Sequence, residues 1–204
     1  MFVPTRPASS ALGLRERKAA ATRLAVARAM ARRLTSAPLS EITADEMAEA
    51  AGVSRMTFFN YFPAKELVIY HILATWTYEE QVASCRLGLE GVAAILHVFE
   101  WFGALTAESP ARARQVQAYL AARPLDRPWR DLTRADRELI APGEGETPLA
   151  AWRERFPELI AEARRRGEIV SVSSDYALGH LLGVLLFGIP LVGQSQPDQD
   201  WAAL

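Results

Sequence analysis

Residue types that usually carry enzymatic chemistry are scarce in this chain. Its 204 residues include 3 histidines and 1 cysteine, Cys85. His97 and Glu100 are spaced so that one helix face would present both as metal ligands, but no second pair of this kind occurs. HExxH, a glycine-rich phosphate loop and GxSxG are also absent from the sequence. We therefore predict a protein that is not an enzyme and needs no metal or cofactor, and we keep a helical enzyme as an alternative.

A different chemistry is indicated by the stretch TADEMAEAAGVSRMTFFNYF, residues 43–62. Thr43 and Glu46 form a T-x-x-E capping box that starts a short helix. Gly52 suits a tight turn, and Ser54 can cap a second short helix that ends near Tyr61. Two helices this short need a supporting helix to bury their apolar faces. The pattern therefore predicts a helix-turn-helix.

The charge distribution points to the same region. The whole chain carries a net charge of −1. Residues 1–75 contain ten basic and six acidic side chains, whereas acidic groups outnumber basic ones in the rest of the chain. This asymmetry predicts an N-terminal unit that faces nucleic acid, attached to a body that does not. The single cysteine and the lack of a signal-peptide pattern predict a cytoplasmic protein.

The periodicity of the apolar residues predicts an all-α fold. Hydrophobic residues make up 50% of the chain and recur at helical spacing, and no segment sustains the alternation of a strand. We predict about nine helices, over 14–35, 43–51, 54–62, 64–87, 90–107, 110–123, a short segment after 133, 147–167 and 174–194. These helices follow a flexible N-terminal arm (1–13) and form a three-helix domain (14–63) and a larger helical domain (64–204).

The segment 14–69 resembles the DNA-binding domain of TetR-family transcriptional regulators. The resemblance rests on Ile42-Thr43, AEAAGVS (48–54), TFFNYFP (57–63) and KEL (65–67), and LIAEARRRGEI (159–169) resembles the end of the family's penultimate helix. It implies a ligand-responsive repressor that binds a palindromic DNA operator as a homodimer, with 64–204 as the ligand-binding and dimerisation domain. A helical protein-interaction or small-molecule-binding protein without specific DNA readout is the alternative.

The resemblance also implies which side chains face the bases. The helix that follows Ser54 would enter the major groove. There Arg55 can donate two hydrogen bonds to guanine, and Asn60 can read adenine. The base-facing set is Arg55, Met56, Thr57, Phe59 and Asn60. Phe58 and Phe62 are expected in the core.

Two further sets match positions that contact the DNA backbone. Hydroxyls, helix N-terminal amides and one cation would hold phosphates. This set is Thr43, Ser54, Tyr61 and Lys65. Three cations ahead of the first helix would form an arm that reaches the minor groove, namely Arg15, Arg17 and Lys18. Lys65→Ala is accordingly expected to weaken binding to all sequences and to flatten the salt dependence by about one unit.

The last helix is the candidate dimer interface. One helix-turn-helix contacts about half a site, so a homodimer is expected, and residues 176–193 are apolar around most of the helix. The interface residues are Leu178, Gly179, Leu182, Gly183 and Leu186. This segment also reaches the length of about 18 residues that a membrane span needs, but His180, its glycines and Pro190 argue against that. We expect no membrane partner.

Bulky side chains in the middle helices predict a pocket for a small apolar or aromatic effector. Such residues can line an apolar cavity that contains a few orienting polar groups. The candidate lining is Trp76, Tyr78, His97, Phe99, Trp101, Phe102 and Tyr119. Ordinary core packing is the alternative for each of them. A ligand that releases DNA must bind the non-DNA-binding conformation more tightly. A ligand that binds both conformations equally well does not shift the equilibrium between them.

Overall fold

Helices make up the regular structure in the part of the chain that the computed structural model describes, residues 12–121, 132–145, 150, 152–170 and 174–195. They are α1 (Leu14–Arg33), α2 (Ala44–Ala50), α3 (Arg55–Tyr61), α4 (Val68–Arg86), α5 (Gly91–Glu108), α6 (Pro110–Ala121), α7 (Arg134–Ile140), α8 (Trp152–Arg165) and α9 (Asp175–Ser195). A 3-10 turn, Lys65–Leu67, leads into α4. The predicted all-α class is confirmed. The predicted helix ends near 123 and 147 lie outside the described residues.

The first three helices surround one apolar core, and we call residues 14–63 the reading head. The apolar face of α1 is buried, including Leu24 and Met30. Met47 of α2 and Phe58 of α3 complete this core. The core extends into α4 through Ile69, so the reading head and the first turns of α4 pack as one unit.

The rest of α4 and the later helices form the body. A cluster beyond the reading head joins Tyr78 of α4 to Leu132 and Ala141. A second cluster joins α5, α8 and α9. Gly179 of α9 lies so close to α8 that a Cβ there would come within 2.7 Å of the Pro157 Cδ. Pro157 removes a backbone donor inside α8, and the absence of a side chain at Gly179 lets α9 approach it.

Two side-chain links connect the body to the reading head. Arg23 of α1 donates its Nε and Nη2 to the carboxylate of Asp136 in α7, at 3.1 and 2.9 Å. Gln115 of α6 is hydrogen-bonded to the α1–α2 loop (residues 34–43), with its Nε2 2.8 Å from the Ala37 carbonyl. Both α6 and α7 are therefore in direct contact with the reading head.

No helix among the described residues combines the length and hydropathy that crossing a bilayer requires.

Candidate nucleic-acid interface

α3 is fixed to the reading head by its buried side and by its cap. Phe58 is fully buried, and its ring packs against that of Phe62 with centroids 5.9 Å apart, as expected for two core residues. Ser54 Oγ accepts a hydrogen bond from the Thr57 backbone N–H at 3.1 Å and caps the first turn. Gly52 has a φ of 67°, a left-handed conformation that permits the tight turn after α2. The outer face of α3 is therefore held in one orientation.

That outer face projects into solvent. Met56 is 77% exposed and Phe59 is 36% exposed, which is unusual for large apolar side chains. Arg55 and Asn60 are also exposed, and Thr57 is half-buried at the edge of this surface. Apolar and hydrogen-bonding groups side by side match the thymine methyl groups and the base edges of a major groove. Contact of these five residues with bases remains a prediction.

Arg55 is oriented by two neighbours. Its guanidinium forms an ion pair with Asp45 of α2 and lies 5.3 Å from the centre of the Phe59 ring. Both members of the ion pair are more than half exposed, so the pair contributes at most about 1 kcal/mol. Asp45 can direct the guanidinium to the outer side of α3 and still release it to a guanine edge. Sequence reasoning missed Asp45, because it lies on α2, 10 positions before Arg55, and no local pattern marks the pair.

Thr43 and Ser54, the hydroxyls predicted to bind phosphate, also cap helices. The predicted capping box is confirmed: Thr43 Oγ1 accepts from the Glu46 N–H at 3.2 Å, and Glu46 accepts from the Thr43 N–H at 2.7 Å. Hydrogen bonds from Thr43, and then from Arg33, keep the pKa of Glu46 below its ordinary value. Thr43 and Ser54 are both exposed. Their phosphate contacts remain a prediction.

Lys65, the predicted phosphate-binding cation, has three acceptors within the protein. Its Nζ donates to the carbonyls of Leu39 at 2.9 Å, Ser40 at 3.2 Å and Ile42 at 2.6 Å. An ammonium group has three donors, so these carbonyls satisfy all of them. Lys65 therefore holds the loop that leads into α2, a role that its position after the motif did not reveal.

Tyr61 lies at the end of α3, half-buried beside Arg23 of α1. The Arg23 guanidinium carbon is 5.7 Å from the centre of the Tyr61 ring, while the same group is paired with Asp136 of the body. Arg23 thus contacts both Tyr61, which is predicted to bind phosphate, and Asp136 of α7. Asp136 is 113 positions away in sequence, and no local pattern marks the pair.

The predicted basic arm is corrected by the structure. Arg15, Arg17 and Lys18 do not precede the first helix but lie in its first turns, because α1 begins at Leu14. The Glu16 carboxylate accepts a hydrogen bond from the Gly13 backbone N–H at 2.9 Å and stabilises the start of α1. The three cations are exposed. The flexible arm predicted for residues 1–13 stays a prediction, because residues 1–11 lie outside the described residues.

Two of the predicted pocket residues belong to separate cores. Tyr78 is fully buried, and its hydroxyl donates to the Glu144 carbonyl. Tyr119 packs against Tyr70 in the core that the reading head shares with α4 and α6, with ring centroids 5.7 Å apart. Both rings therefore serve packing.

The other five predicted pocket residues lie along α4 and α5. Trp76 and Phe102 line a cleft beside α6. Phe99 packs on α8, with its ring 6.1 Å from a phenylalanine ring there. His97 and Trp101 are one turn apart, and the Nε2 and Nε1 atoms of these residues are buried without a hydrogen-bond partner in the described structure. Within the described ranges, His97 belongs to no group of three potential metal ligands.

A buried carboxylate on α4 was not predicted. Glu80 is fully buried, and neither of its oxygens has a hydrogen-bond partner among the described residues. Desolvation raises the pKa of Glu80 to about 7, and the positive charge of Arg155 in α8 opposes the shift. Desolvation also raises the pKa of the neighbouring Glu79, opposed by the charge of Arg28.

α9 has an inner and an outer face. Leu178, Leu182 and Leu186 pack with α5 and α8 of the same chain, and Gly179 lies against Pro157. At 100° per residue, these four positions occupy one side of the helix. The predicted interface thus coincides with packing inside one chain, and only Gly183 faces open space.

The outer face of α9 carries the exposed apolar surface. Tyr176, Leu181, Val184 and Leu185 are between 39% and 65% exposed. At 100° per residue, Tyr176, Leu181 and Val184 lie on the half of the helix opposite to the packed leucines, and Leu185 lies at the border between the two faces, next to Leu178. The candidate dimer interface is therefore the outer face of α9 and not the inner face.

Comparisons with known proteins agree with the helix-turn-helix. No family model matches the chain. The HTH-type transcriptional regulator EthR, from Mycobacterium tuberculosis and from Mycobacterium bovis, is 48% identical over 40 residues, or 20% of this chain, and the match spans only 18% of the length of EthR. The crystal structure of Thermus thermophilus FadR, a TetR-family transcriptional repressor in complex with lauroyl-CoA, has a TM-score of 0.49 and 27% identity over 89% of this chain and 88% of that chain. The match to EthR thus agrees with the helix-turn-helix that α2 and α3 form.

Proposed function

We propose that the chain is a sequence-specific DNA-binding regulator, a ligand-responsive repressor that binds a palindromic operator as a homodimer. The outer face of α3 carries this proposal, because Arg55, Met56, Phe59 and Asn60 project into solvent while Phe58 anchors the other side. A helix held in this way can lie in a major groove and read base edges. We propose no enzymatic activity.

Homodimerisation supplies the second half of the operator site. Two reading heads must be presented about one helical turn of DNA, ~34 Å, or a multiple of it apart. The exposed apolar face of α9, formed by Tyr176, Leu181, Val184 and Leu185, is the surface that we assign to this contact. A face of this composition is unfavourable in water and favours burial against a second copy.

Release of DNA by an effector follows from the contacts between body and head. Asp136 holds Arg23 of α1, and Gln115 holds the α1–α2 loop. An effector that binds better when these helices are displaced shifts the dimer toward a state in which the two α3 helices no longer match the operator.

Selection of bound fragments from genomic DNA at a defined salt concentration tests this function. We expect a palindrome whose half-sites are separated by about one helical turn or a multiple of it. A variant with Arg55→Ala and Asn60→Ala should stay folded and recover no such sequence. Recovery of no enriched sequence by the wild type, or of the same sequence by the variant, would contradict the proposal and favour a protein-interaction role.

A further inference from the structure

A cleft between α4, α5 and α6 combines apolar walls with two buried polar side chains. Its principal lining residues are Trp76, Phe102, Leu105, Arg112, Val116 and Gln117. Trp76 comes from α4, Phe102 from α5, and both polar residues come from α6. Such a composition is typical of a small-molecule site, in which apolar contacts supply affinity and a few polar groups orient the ligand.

Gln117 is a buried amide with no partner in the described structure. Its side chain is 4% exposed, and neither Oε1 nor Nε2 has a hydrogen-bond partner among the described residues. Burial of a polar group without a partner costs free energy, because the group loses its hydrogen bonds to water. A ligand atom that bonds to this amide would recover that loss.

Arg112 presents a positive charge to the same cleft. It is 9% exposed, and its guanidinium carbon lies 5.2 Å from the centre of the Trp76 ring. Nη2 donates to Glu108 at 3.1 Å, whereas the buried Nε has no acceptor in the part of the chain described here. Glu108 is itself 67% exposed. Because Arg112 lines the cleft and its Nη2 is bonded to Glu108, the buried Nε–H is the donor left for a ligand.

We propose that this cleft binds the carboxylate of a small acid with an aromatic or aliphatic body, and that such an acid is the effector of the repressor proposed above, on which this inference rests. The Arg112 Nε–H and the Gln117 Nε2–H are the donors for the carboxylate. Trp76 and Phe102 contact the apolar body. Glu80, the buried carboxylate of α4 described above, would select a cationic ligand instead.

α6 connects the cleft to the reading head. Gln115, on the same helix, donates to the Leu34 and Ala37 carbonyls at 3.0 and 2.8 Å and accepts from the Leu39 N–H at 2.5 Å. The cleft has a volume of about 10 Å³, roughly that of one water molecule. A bound acid must therefore widen the cleft, and we expect α6 to move and to pull Gln115 away from the α1–α2 loop. We expect the acid to lower operator affinity for this reason.

Three probes with one apolar body and different head groups test the ligand class. Phenylbutyrate, phenylbutanol and phenylbutylamine are titrated into the full chain by calorimetry. We expect phenylbutyrate to bind about tenfold or more tightly than the other two. The proposal is overturned if none of them binds in the millimolar range, if the alcohol binds as well as the acid, or if the amine binds best, which would point to Glu80.

Variants of α6 test the residues. Arg112→Met should lower the affinity for phenylbutyrate about tenfold, to that of phenylbutanol. Arg114→Met, at an exposed position on the same helix, should leave it unchanged. Gln117→Leu should also weaken phenylbutyrate binding without lowering the melting temperature, because it removes a buried amide. If Arg112→Met and Gln117→Leu both still prefer the acid over the alcohol, the proposal is overturned. If one variant is unstable, the same result in the other variant overturns it.

The same samples separate this inference from the proposed function. Operator binding is measured with and without phenylbutyrate on the DNA recovered by selection. In Gln115→Leu, we expect phenylbutyrate to bind as in the wild type but to change operator affinity less than in the wild type. DNA binding without an acid effect refutes the inference alone, whereas acid binding without DNA binding refutes the proposed function and leaves the carboxylate site in place.

Discussion

Several residues in the reading head, or just after it, have a structural role that does not depend on contact with DNA. Lys65 holds three loop carbonyls, Thr43 and Ser54 cap helices, and Arg55 is paired with Asp45. Such bonds orient these groups before DNA binds, which reduces the entropy lost on association. They also mean that a loss of operator affinity in a variant must be separated from a loss of stability.

For Arg55 the two effects are separable, because its ion pair is exposed and weak. Arg55→Ala should lower specific operator affinity by about 1 to 3 kcal/mol and relax the preference at one base pair, with little change in melting temperature. Fluorescence anisotropy against the operator and its single-base variants measures this. Arg114→Ala, an exposed substitution in the body, is the control. Equal operator affinities for Arg55→Ala and the wild type would remove Arg55 from the base-reading set.

For Lys65 the larger effect is expected on stability, because its ammonium group is bonded inside the protein. The structure therefore changes the expectation, drawn from its sequence position, that Lys65 binds phosphate. Lys65→Met should destabilise the fold by about 1 to 3 kcal/mol, because three carbonyls lose a charged donor. Operator affinity should fall while the salt dependence stays as in the wild type. Urea unfolding and a salt titration check both effects. A slope that is flatter by about one unit, with unchanged stability, would instead support a phosphate contact.

At the scale of helices, local signals predicted the reading head well. The Thr43 capping box, the Ser54 cap and the turn at Gly52 each depend on residues only a few positions apart. Interactions of this range are encoded in short stretches of sequence, so α2 and α3 were located to within about two residues. The buried face of α1 was predicted for the same reason, because its apolar residues recur with helical period.

Contacts between helices could not be predicted from such signals. The inner and outer faces of α9 are both apolar, so Leu178 and Leu181 look alike in sequence although only Leu178 packs inside the chain. The aromatic residues were assigned to one pocket, but Tyr119 belongs to the core of the reading head. Gln115 and the α1–α2 loop meet only in the folded chain. Tertiary packing decides each of these cases.

The buried carboxylate of α4 makes the stability of that helix depend on pH. Glu80 has an ordinary pKa of 4.5, raised to about 7 in the folded chain, so the unfolded state loses this proton first as the pH rises. Its contribution to stability is full below about pH 4.5 and is lost as the pH rises through about 7, a change of at most about 3 kcal/mol. Glu80→Gln should therefore be more stable than the wild type at about pH 8, with a smaller difference at about pH 5.

Urea unfolding of both proteins at the two pH values checks this expectation. Glu100→Gln, at an exposed position of α5, is the control and should follow the wild type. If Glu80→Gln and the wild type lose stability in parallel as the pH rises, Glu80 is ionised normally in the folded chain and is not desolvated.

At the scale of the whole molecule, helices of the body contact the reading head directly. α7 contacts α1 through Asp136 and Arg23, and α6 contributes Val116 and Tyr119 to the core of the reading head. Interdomain contacts that are both apolar and ionic favour one defined arrangement of the two parts. The position of the reading head thus depends on the packing of α6 and α7, and the outer face of α9 is the surface that we propose for the association of two molecules.

The outer face of α9 should therefore control both the oligomeric state and operator binding. Leu181→Glu places a charge on the exposed apolar face, and we expect a monomer by sedimentation at concentrations where the wild type is a dimer. Helix content should be retained, because Leu181 makes no core contact, whereas operator affinity should fall toward that of a single half-site. Leu87→Glu, an equally exposed leucine at the end of α4, should stay dimeric and bind the operator. A Leu181→Glu protein that remains dimeric would place the interface on another surface, and a monomeric wild type that still binds a palindrome would show that pairing occurs only on DNA.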